Sequence, residues 1–319
     1  MEIIEKVEQP AAVTIGKFEA LHLGHMSMIN AVEQYSKQNG LCSAVVSFTP
    51  NPVKILFDPD YKQLLTEKEK AYLLNISGVD FWVPYRFDYK LAGKTPNDFF
   101  YCLKKEINFS AVLVGEDFRF GKNREGTVKS LIEFGMNMDI NIVTVPYLSV
   151  TGSDYHKIST SQIRDYLCDG KIKEANQLLG KPFFIMETVK KGRQLGRSIG
   201  FPTANLHPPE DKLLPPNGVY AANVIVKGKK YSGITNIGFN PTVSEKQIPK
   251  AETFIFNFNE DIYDEEIIVE LLDFIRYERT FNGLGELKAQ IKSDTDAVQK
   301  ATSFLSGFET GTKENDASG

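Results

Sequence analysis

The 319-residue chain contains only three cysteines, one tryptophan and four histidines. Cys42, Cys102 and Cys168 are far apart and lie in apolar or helical contexts, so neither a disulfide framework nor clustered metal-ligand spacing is expected. A reducing, cytoplasmic environment fits that usage. No run of about 18 consecutive apolar residues occurs, and Met1 is followed by Glu2 and Glu5 rather than a basic start. Neither a membrane as partner nor secretion is therefore expected. A positive excess is missing too: 37 Lys and Arg against 41 Asp and Glu give a net charge of -4. That balance argues against nucleic acid as a partner, while a local basic cluster can still hold a small anion. What is present, 42% hydrophobic and 24% charged residues, is an ordinary globular composition, and the length predicts two domains. Composition says nothing about oligomeric state.

In the first half, β-branched or apolar runs at 11–15, 43–48, 81–84, 111–114 and 141–145 alternate with amphipathic stretches. Met28, Ile29, Val32 and Tyr35 share one helical face, and Gly40 supplies a stop. Strand alternating with helix predicts an α/β doubly wound parallel sheet, whose ligands bind at the carboxyl ends of its strands. A helix capped by Ser159 is expected to reach about Cys168, with Gly170 ending it and a second short helix reaching Leu179. Gly180-Lys181-Pro182 then breaks the chain. Beyond it, runs at 183–189, 219–226, 230–237, 251–256 and 267–275 predict a mostly antiparallel β-barrel. Lys227-Gly228-Lys229 reads as a tight turn, and Leu284, Leu287, Ile291 and Val298 as one terminal helix packed outside the barrel. The expected domains are residues 1–180 and 181–306, with a polar tail at 307–319 expected to be disordered.

Between the first strand and first helix the chain reads Gly16-Lys17-Phe18-Glu19-Ala20-Leu21-His22-Leu23-Gly24-His25. Backbone N–H groups are unpaired at a helix start, which suits a polyphosphate. Two imidazoles there can donate to oxygens as charge develops on a departing pyrophosphate, and Gly24 permits close backbone approach. Incidental polar residues at a helix end explain this segment equally well. A zinc pair lacks a third ligand of suitable spacing. At 157–164, hydroxyls from Ser159 and Thr160 open a second helix and Arg164 follows one turn later. By itself that is a capped helix; beside the histidine turn it makes a second anion-binding helix end. Gly115 to Asn123 is not a P-loop, because five residues separate the glycines and Asn123 follows Lys122. The stretch from Lys190 to Asn205, with four cations and three glycines, reads as bare composition as a solvated basic hairpin.

Taken together, the first two segments resemble the HxGH and ISSTxxR-like signatures of the nucleotidylyltransferase superfamily. Val114 to Gly121 resembles a glycine-bounded loop of the bacterial FAD synthetase branch. Gly200-Phe201-Pro202-Thr203-Ala204-Asn205 resembles the magnesium-nucleotide motif of riboflavin kinases, and segments at 214–220, 235–242 and 251–254 follow in that family's order. The whole, over about residues 10–300, resembles bacterial bifunctional riboflavin kinase/FMN adenylyltransferases. The resemblance implies ATP-dependent phosphorylation of riboflavin to FMN and adenylylation of FMN to FAD, with Mg²⁺. It implies that Glu252 is the kinase base and that His22, His25 and Arg164 act in adenylyl transfer. It further implies nucleotide binding by Gly16, Phe18, Gly24, Ser159, Thr160, Lys191, Arg197, Gly200, Thr203 and Asn205, with Thr203 and Asn205 on the metal. Asp117, Phe118 and Arg276 are then flavin-binding. Departures are Lys17, Glu19 and Ala20 for Asn, Asp and Gly, Asn51 for His, Phe254 for His, and Glu187 for Gly. Ala20 is a concern because a residue with a Cβ tolerates positive φ poorly. Two other readings stand beside this one: a kinase with a weak or specialised adenylyltransferase half, and a non-catalytic flavin- or nucleotide-binding regulator.

Overall fold

The structure, a computed structural model, describes residues 1–146, 158–192, 196, 200–240 and 248–309. These cluster into two compact units. The first comprises Met1–Gln162, Leu178–Gly180 and Asp211–Leu213, and the second Ile163–Gln177, Lys181–Glu210 and Leu214–Gly319.

In the first unit the order is β1 (Glu2–Ile3), β2 (Val7–Gly16), α1 (Leu23–Asn39), β3 (Cys42–Thr49), α2 (Pro52–Leu56), α3 (Glu67–Ile76) and β4 (Phe81–Arg86). Then come α4 (Tyr89–Ala92), α5 (Pro96–Glu106), β5 (Ile107–Gly115), α6 (Val128–Met138) and β6 (Asn141–Val145). The strands form one parallel sheet in the order β1-β4-β3-β2-β5-β6. All five runs predicted from sequence are strands; β1, two residues long, carries no readable pattern. Successive residues of β2 serve opposite layers: Ala11, Val13 and Ile15 pack with Phe100, Phe109 and Val112, and Ala12 with Val32, Ala111 and Leu113. Burial on both faces is why these strands are continuous apolar runs rather than alternating ones. The chain leaves β2 toward β3 and β4 and returns past it to β5 and β6, so the strand order reverses between β2 and β5. That switch point is where an open α/β sheet leaves a crevice.

The helix α7 (Thr160–Cys168) bridges the division between the units, and α8 (Ile172–Leu179) follows. Ser159 Oγ accepts from Gln162 N at 3.1 Å, the expected cap, and Gly170 and Gly180 both have positive φ where helices stop.

The second unit is an antiparallel sheet of β7 (Phe183–Thr188), β8 (Thr203–Leu206), β9 (Gly218–Val226), β10 (Lys229–Asn240), β11 (Ile248–Ile255) and β12 (Glu266–Tyr277). Their order is β7-β12-β9-β10-β11-β8, a curled half-barrel. Register shifts in β12 at Leu271/Asp273 and Phe274/Arg276 bend it, as bulges do. Just past β7, Lys190 N donates to Asn205 O at 2.8 Å, so one bridge joins the two outer strands. The Lys227-Gly228 turn has φ of 49° and 77°, the left-handed pair a two-residue hairpin requires. The terminal helix α9 (Leu284–Glu309) lays Ile291 and Val298 on Val219, Ala221 and Ile234, whereas Leu284 is exposed. Of the segment expected to be a disordered tail, 307–309 belong to α9 and 310–319 lie outside the described residues.

Candidate active sites

At the switch point a cavity of about 380 Å³ is lined by Gly16, Phe18, His22, Gly24, His25, Gly115, Asp117, Phe118, Ser159 and Thr160. Gly16, Gly115 and Val145 there are the carboxyl ends of β2, β5 and β6. The wall is built by the turn from β2 into α1, which holds both Phe18 and Leu21 at φ 44°. His22 caps α1: its Nδ1 accepts from His25 N at 3.3 Å, and the two rings stack at 3.7 Å and 14°. Because Nδ1 accepts an N–H, the neutral ring carries its proton on Nε2, so Nε2 is a donor. A Cβ on Gly24 would lie 3.2 Å from His22 Cε1; this glycine makes room for the imidazole. Phe18 meets His25 edge-on at 5.3 Å.

The departures from the family pattern have definite places. Ala20 is fully buried and is not among the residues with positive φ, so the strain expected of it falls on Phe18 and Leu21 instead. Lys17 is exposed on the cavity lining. Glu19, 5% exposed, accepts from Tyr61 Oη at 2.9 and 3.1 Å and from Asn51 Nδ2 at 3.2 Å, so two of the departures touch each other. Buried Lys70 nearby is held below the usual ammonium range by burial, a shift opposed by Glu67 and Glu19. Arg164 lies on α7 in the second unit and is not among the residues lining this cavity.

The second unit holds a cavity of about 660 Å³. Strand register sets its wall: Asn205, Glu252, Asn236, Val219 and Arg276 stand opposite one another in turn across β8, β11, β10, β9 and β12. All five line the cavity. Two residues along, Thr203 faces Phe254, whose ring meets Phe201 edge-on at 5.1 Å. Glu252 forms an ion pair with Lys250, also on the lining. Next to both, burial and then Lys250 hold His207 below the usual imidazole range. Arg276 gives Nε at 3.0 Å and Nη2 at 2.8 Å to the Asp294 carboxylate, which Gln290 also reaches at 2.6 Å.

Thr203 and Asn205 also line an adjoining cavity of about 310 Å³ with Phe258, Asn259 and Tyr263. Lys191 Nζ lies 5.8 Å from the Tyr263 ring centre, and a Cβ on Gly192 would fall 2.5 Å from the Asn205 amide. Gly200, at φ 88°, makes the turn before Phe201. Arg197, Lys157 and residues 241–242 lie outside the described residues. Sequence reasoning assigns no role to Lys250, Glu278 or Asp294, although each lines the larger cavity. A charge on a strand or a terminal helix gives no local signal of where it points. Among the described residues no group of three or more His, Cys, Asp or Glu side chains is placed to hold a metal. The neutral oxygens of Thr203 and Asn205 fit a cation whose charge is met by phosphates. No helix in the described residues is long and apolar enough to cross a membrane.

A riboflavin kinase family model matches residues 179–302 and an FAD synthetase model residues 4–162. The bifunctional riboflavin kinase/FMN adenylyltransferase of Bacillus subtilis is 35% identical over 310 residues, covering 96% of each chain. The Escherichia coli K12 protein of the same description is 35% identical over 290 residues, covering 90% of this chain and 91% of that one. A solved structure described as a macrolide-efflux protein from Streptococcus pneumoniae matches with a TM-score of 0.81 at 29% identity, over 93% of this chain and 98% of that one.

Proposed function

Since the chain belongs to the bifunctional riboflavin kinase/FMN adenylyltransferase family, we propose how its residues divide two successive reactions between the two units. The enzyme phosphorylates riboflavin to FMN and adenylylates FMN to FAD, consuming ATP in each step. The first unit carries the adenylyl transfer and the second the kinase.

In the kinase half, riboflavin occupies the 660 Å³ cavity and ATP the adjoining 310 Å³ one. The observation that carries this assignment is that Thr203 and Asn205 line both. Phosphates entering from the smaller cavity therefore reach the wall from which Glu252 projects. The riboflavin 5′-hydroxyl oxygen forms a bond to the γ-phosphorus, the bond to the ADP oxygen breaks, and Glu252 takes the hydroxyl proton. Lys191 and Gly200 belong to the segment covering the phosphates. Thr203 and Asn205 would hold the divalent ion, with Mg²⁺ the proposed metal; when bound, it offsets phosphate charge. Arg276 faces the flavin from β12 and is held in place by Asp294.

In the adenylyltransferase half, an FMN phosphate oxygen attacks the α-phosphorus of ATP and pyrophosphate leaves. The nucleophile is already ionised, so no base is needed. Gly16, Phe18 and Gly24 shape the nucleotide site, His22 Nε2 and His25 donate to phosphate oxygens, and Ser159 and Thr160 add the second helix start. Asp117 and Phe118 take the flavin side.

Incubation of the protein with Mg²⁺, ATP and either riboflavin or FMN, with chromatographic separation of the flavins, tests this reading. FAD from both substrates is the expected outcome. FMN without FAD would favour the kinase with a weak adenylyltransferase half, and no product a binding protein.

A further inference from the structure

The turn that carries His22 sits in an unfavourable backbone conformation. Two non-glycine residues, Phe18 and Leu21, adopt left-handed φ within four positions, a strained conformation that persists only where the surroundings over-determine it. Apolar burial supplies part of the constraint, since Phe18, Ala20 and Leu21 are at most 3% exposed. Burial is not directional, however, and does not set the rotation of the turn. The residue between the two strained positions that makes directional side-chain contacts is Glu19. It is buried, at 5% exposure, and its carboxylate accepts hydrogen bonds from two other segments of the chain. Tyr61 Oη reaches both oxygens and Asn51 Nδ2 reaches Oε2. Asn51 is itself fixed, because its Oδ1 caps α2 by accepting from Val53 N at 3.0 Å.

We propose that Glu19, Asn51 and Tyr61 form a clamp that positions the His22/His25 pair for adenylyl transfer, making Glu19 a positioning residue of that reaction. None of the three lines the 380 Å³ cavity, so the clamp acts through the turn and not through contact with substrate. The proposal rests on the adenylyltransferase reading of that cavity. Its polarity is specific: Glu19 accepts, while Asn51 donates with one amide atom and caps a helix with the other.

That polarity defines a test by role reversal in the full-length protein. Asn51→Asp keeps the cap on Val53 but sets two carboxylates against each other. FAD formation from FMN is expected to fall on the order of 10- to 100-fold in kcat, as for a catalytic group displaced by a fraction of an ångström to an ångström. The KM for FMN is expected to change little. Glu19→Gln combined with Asn51→Asp restores the pattern: the amide introduced at position 19 donates to the carboxylate introduced at position 51, and its carbonyl accepts from Tyr61. That double variant is expected to recover most of the rate. Riboflavin phosphorylation, which belongs to the other unit, is expected to stay at the wild-type level in both, and an unchanged urea midpoint of the first unit reports on its folding. With only four histidines in the chain, the imidazole NMR signals of His22 and His25 can be followed independently of turnover. They are expected to move in Asn51→Asp and return in the double variant. Wild-type rate and ring signals in Asn51→Asp overturn the clamp. So does a double variant as impaired as Asn51→Asp, which would assign Asn51 to direct contact with substrate. If the wild-type protein makes no FAD, the reading of the cavity fails, and return or non-return of the ring signals decides the clamp by itself.

Discussion

Glu252 is the acid in the row Asn205–Glu252–Asn236, with Lys250 as its ion partner and the 660 Å³ cavity in front of it. Glu252→Gln keeps the shape and removes the proposed proton acceptor. FMN formation from riboflavin is expected to fall by about 10²–10⁴-fold, while adenylylation of supplied FMN continues; chromatography of the two reactions separately measures this. Equal loss of both would refute separate sites. Lys181 poses a different question at the same level. Burial pushes its ammonium down to about 8 from the usual 10.5. The folded state then binds fewer protons than the unfolded chain between those two values, so this lysine makes stability rise with pH across that window. Below about pH 8 the charged form is carried at a constant cost. Lys181→Met is expected to raise the urea midpoint at pH 7 and to flatten its dependence on pH between 8 and 10.5, compared with wild type.

Elements carry a second set of consequences. Asp211–Leu213, between β8 and β9 in sequence, belongs to the first unit. Gln63 N donates to Asp211 O at 2.7 Å and Leu213 N to Gln63 O at 2.8 Å, with Lys212 between. Lys212 Nζ donates to Leu64 O at 2.8 Å and to Glu69 at 2.5 Å, and the same carboxylate closes the capping box of α3 by accepting from Thr66 N. Both charged side chains are at most 2% exposed. Breaking a buried ion pair by removing one partner is strongly destabilising, so Lys212→Met is expected to destabilise the first unit by about 3–5 kcal/mol in urea unfolding. Lys212→Met with Glu69→Gln keeps the cap and removes both buried charges together; most of the loss should return. Most elements are legible in the sequence, because burial on both faces of a parallel sheet leaves unbroken apolar runs and Gly40, Gly170 and Gly180 mark helix ends. β8 is not. Its four residues follow Phe201-Pro202 and precede His207-Pro208-Pro209, so they read as loop; pairing with β11 makes them a strand. Leu284 departs from its expected packing for a similar reason, since a periodic apolar position does not say where a helix leaves the core.

For the molecule as a whole, the proposed separation of the two sites means that each activity survives loss of the other. A His25→Asn variant is expected to make FMN but little FAD, and Glu252→Gln to make FAD only from supplied FMN. Mixing the two proteins with riboflavin and ATP should then yield FAD after a lag in which FMN accumulates. Failure of the mixture, with each half-reaction intact, would mean that FMN made at one site does not reach the other through solution. The sequence alone determined the fold class, the Ser159 cap, the helix stops at Gly40 and Gly170 and the reaction class, because periodicity, turn residues and motifs are properties of neighbouring positions. Only the tertiary structure decided which side chains meet. The Glu19–Asn51 and Lys212–Glu69 contacts span 32 and 143 positions, and the Asn205–Glu252–Asn236 row exists only through strand register. Such meetings follow from long-range packing and pairing, in which a one-residue slip turns every side chain to the other face, and no local spacing records them.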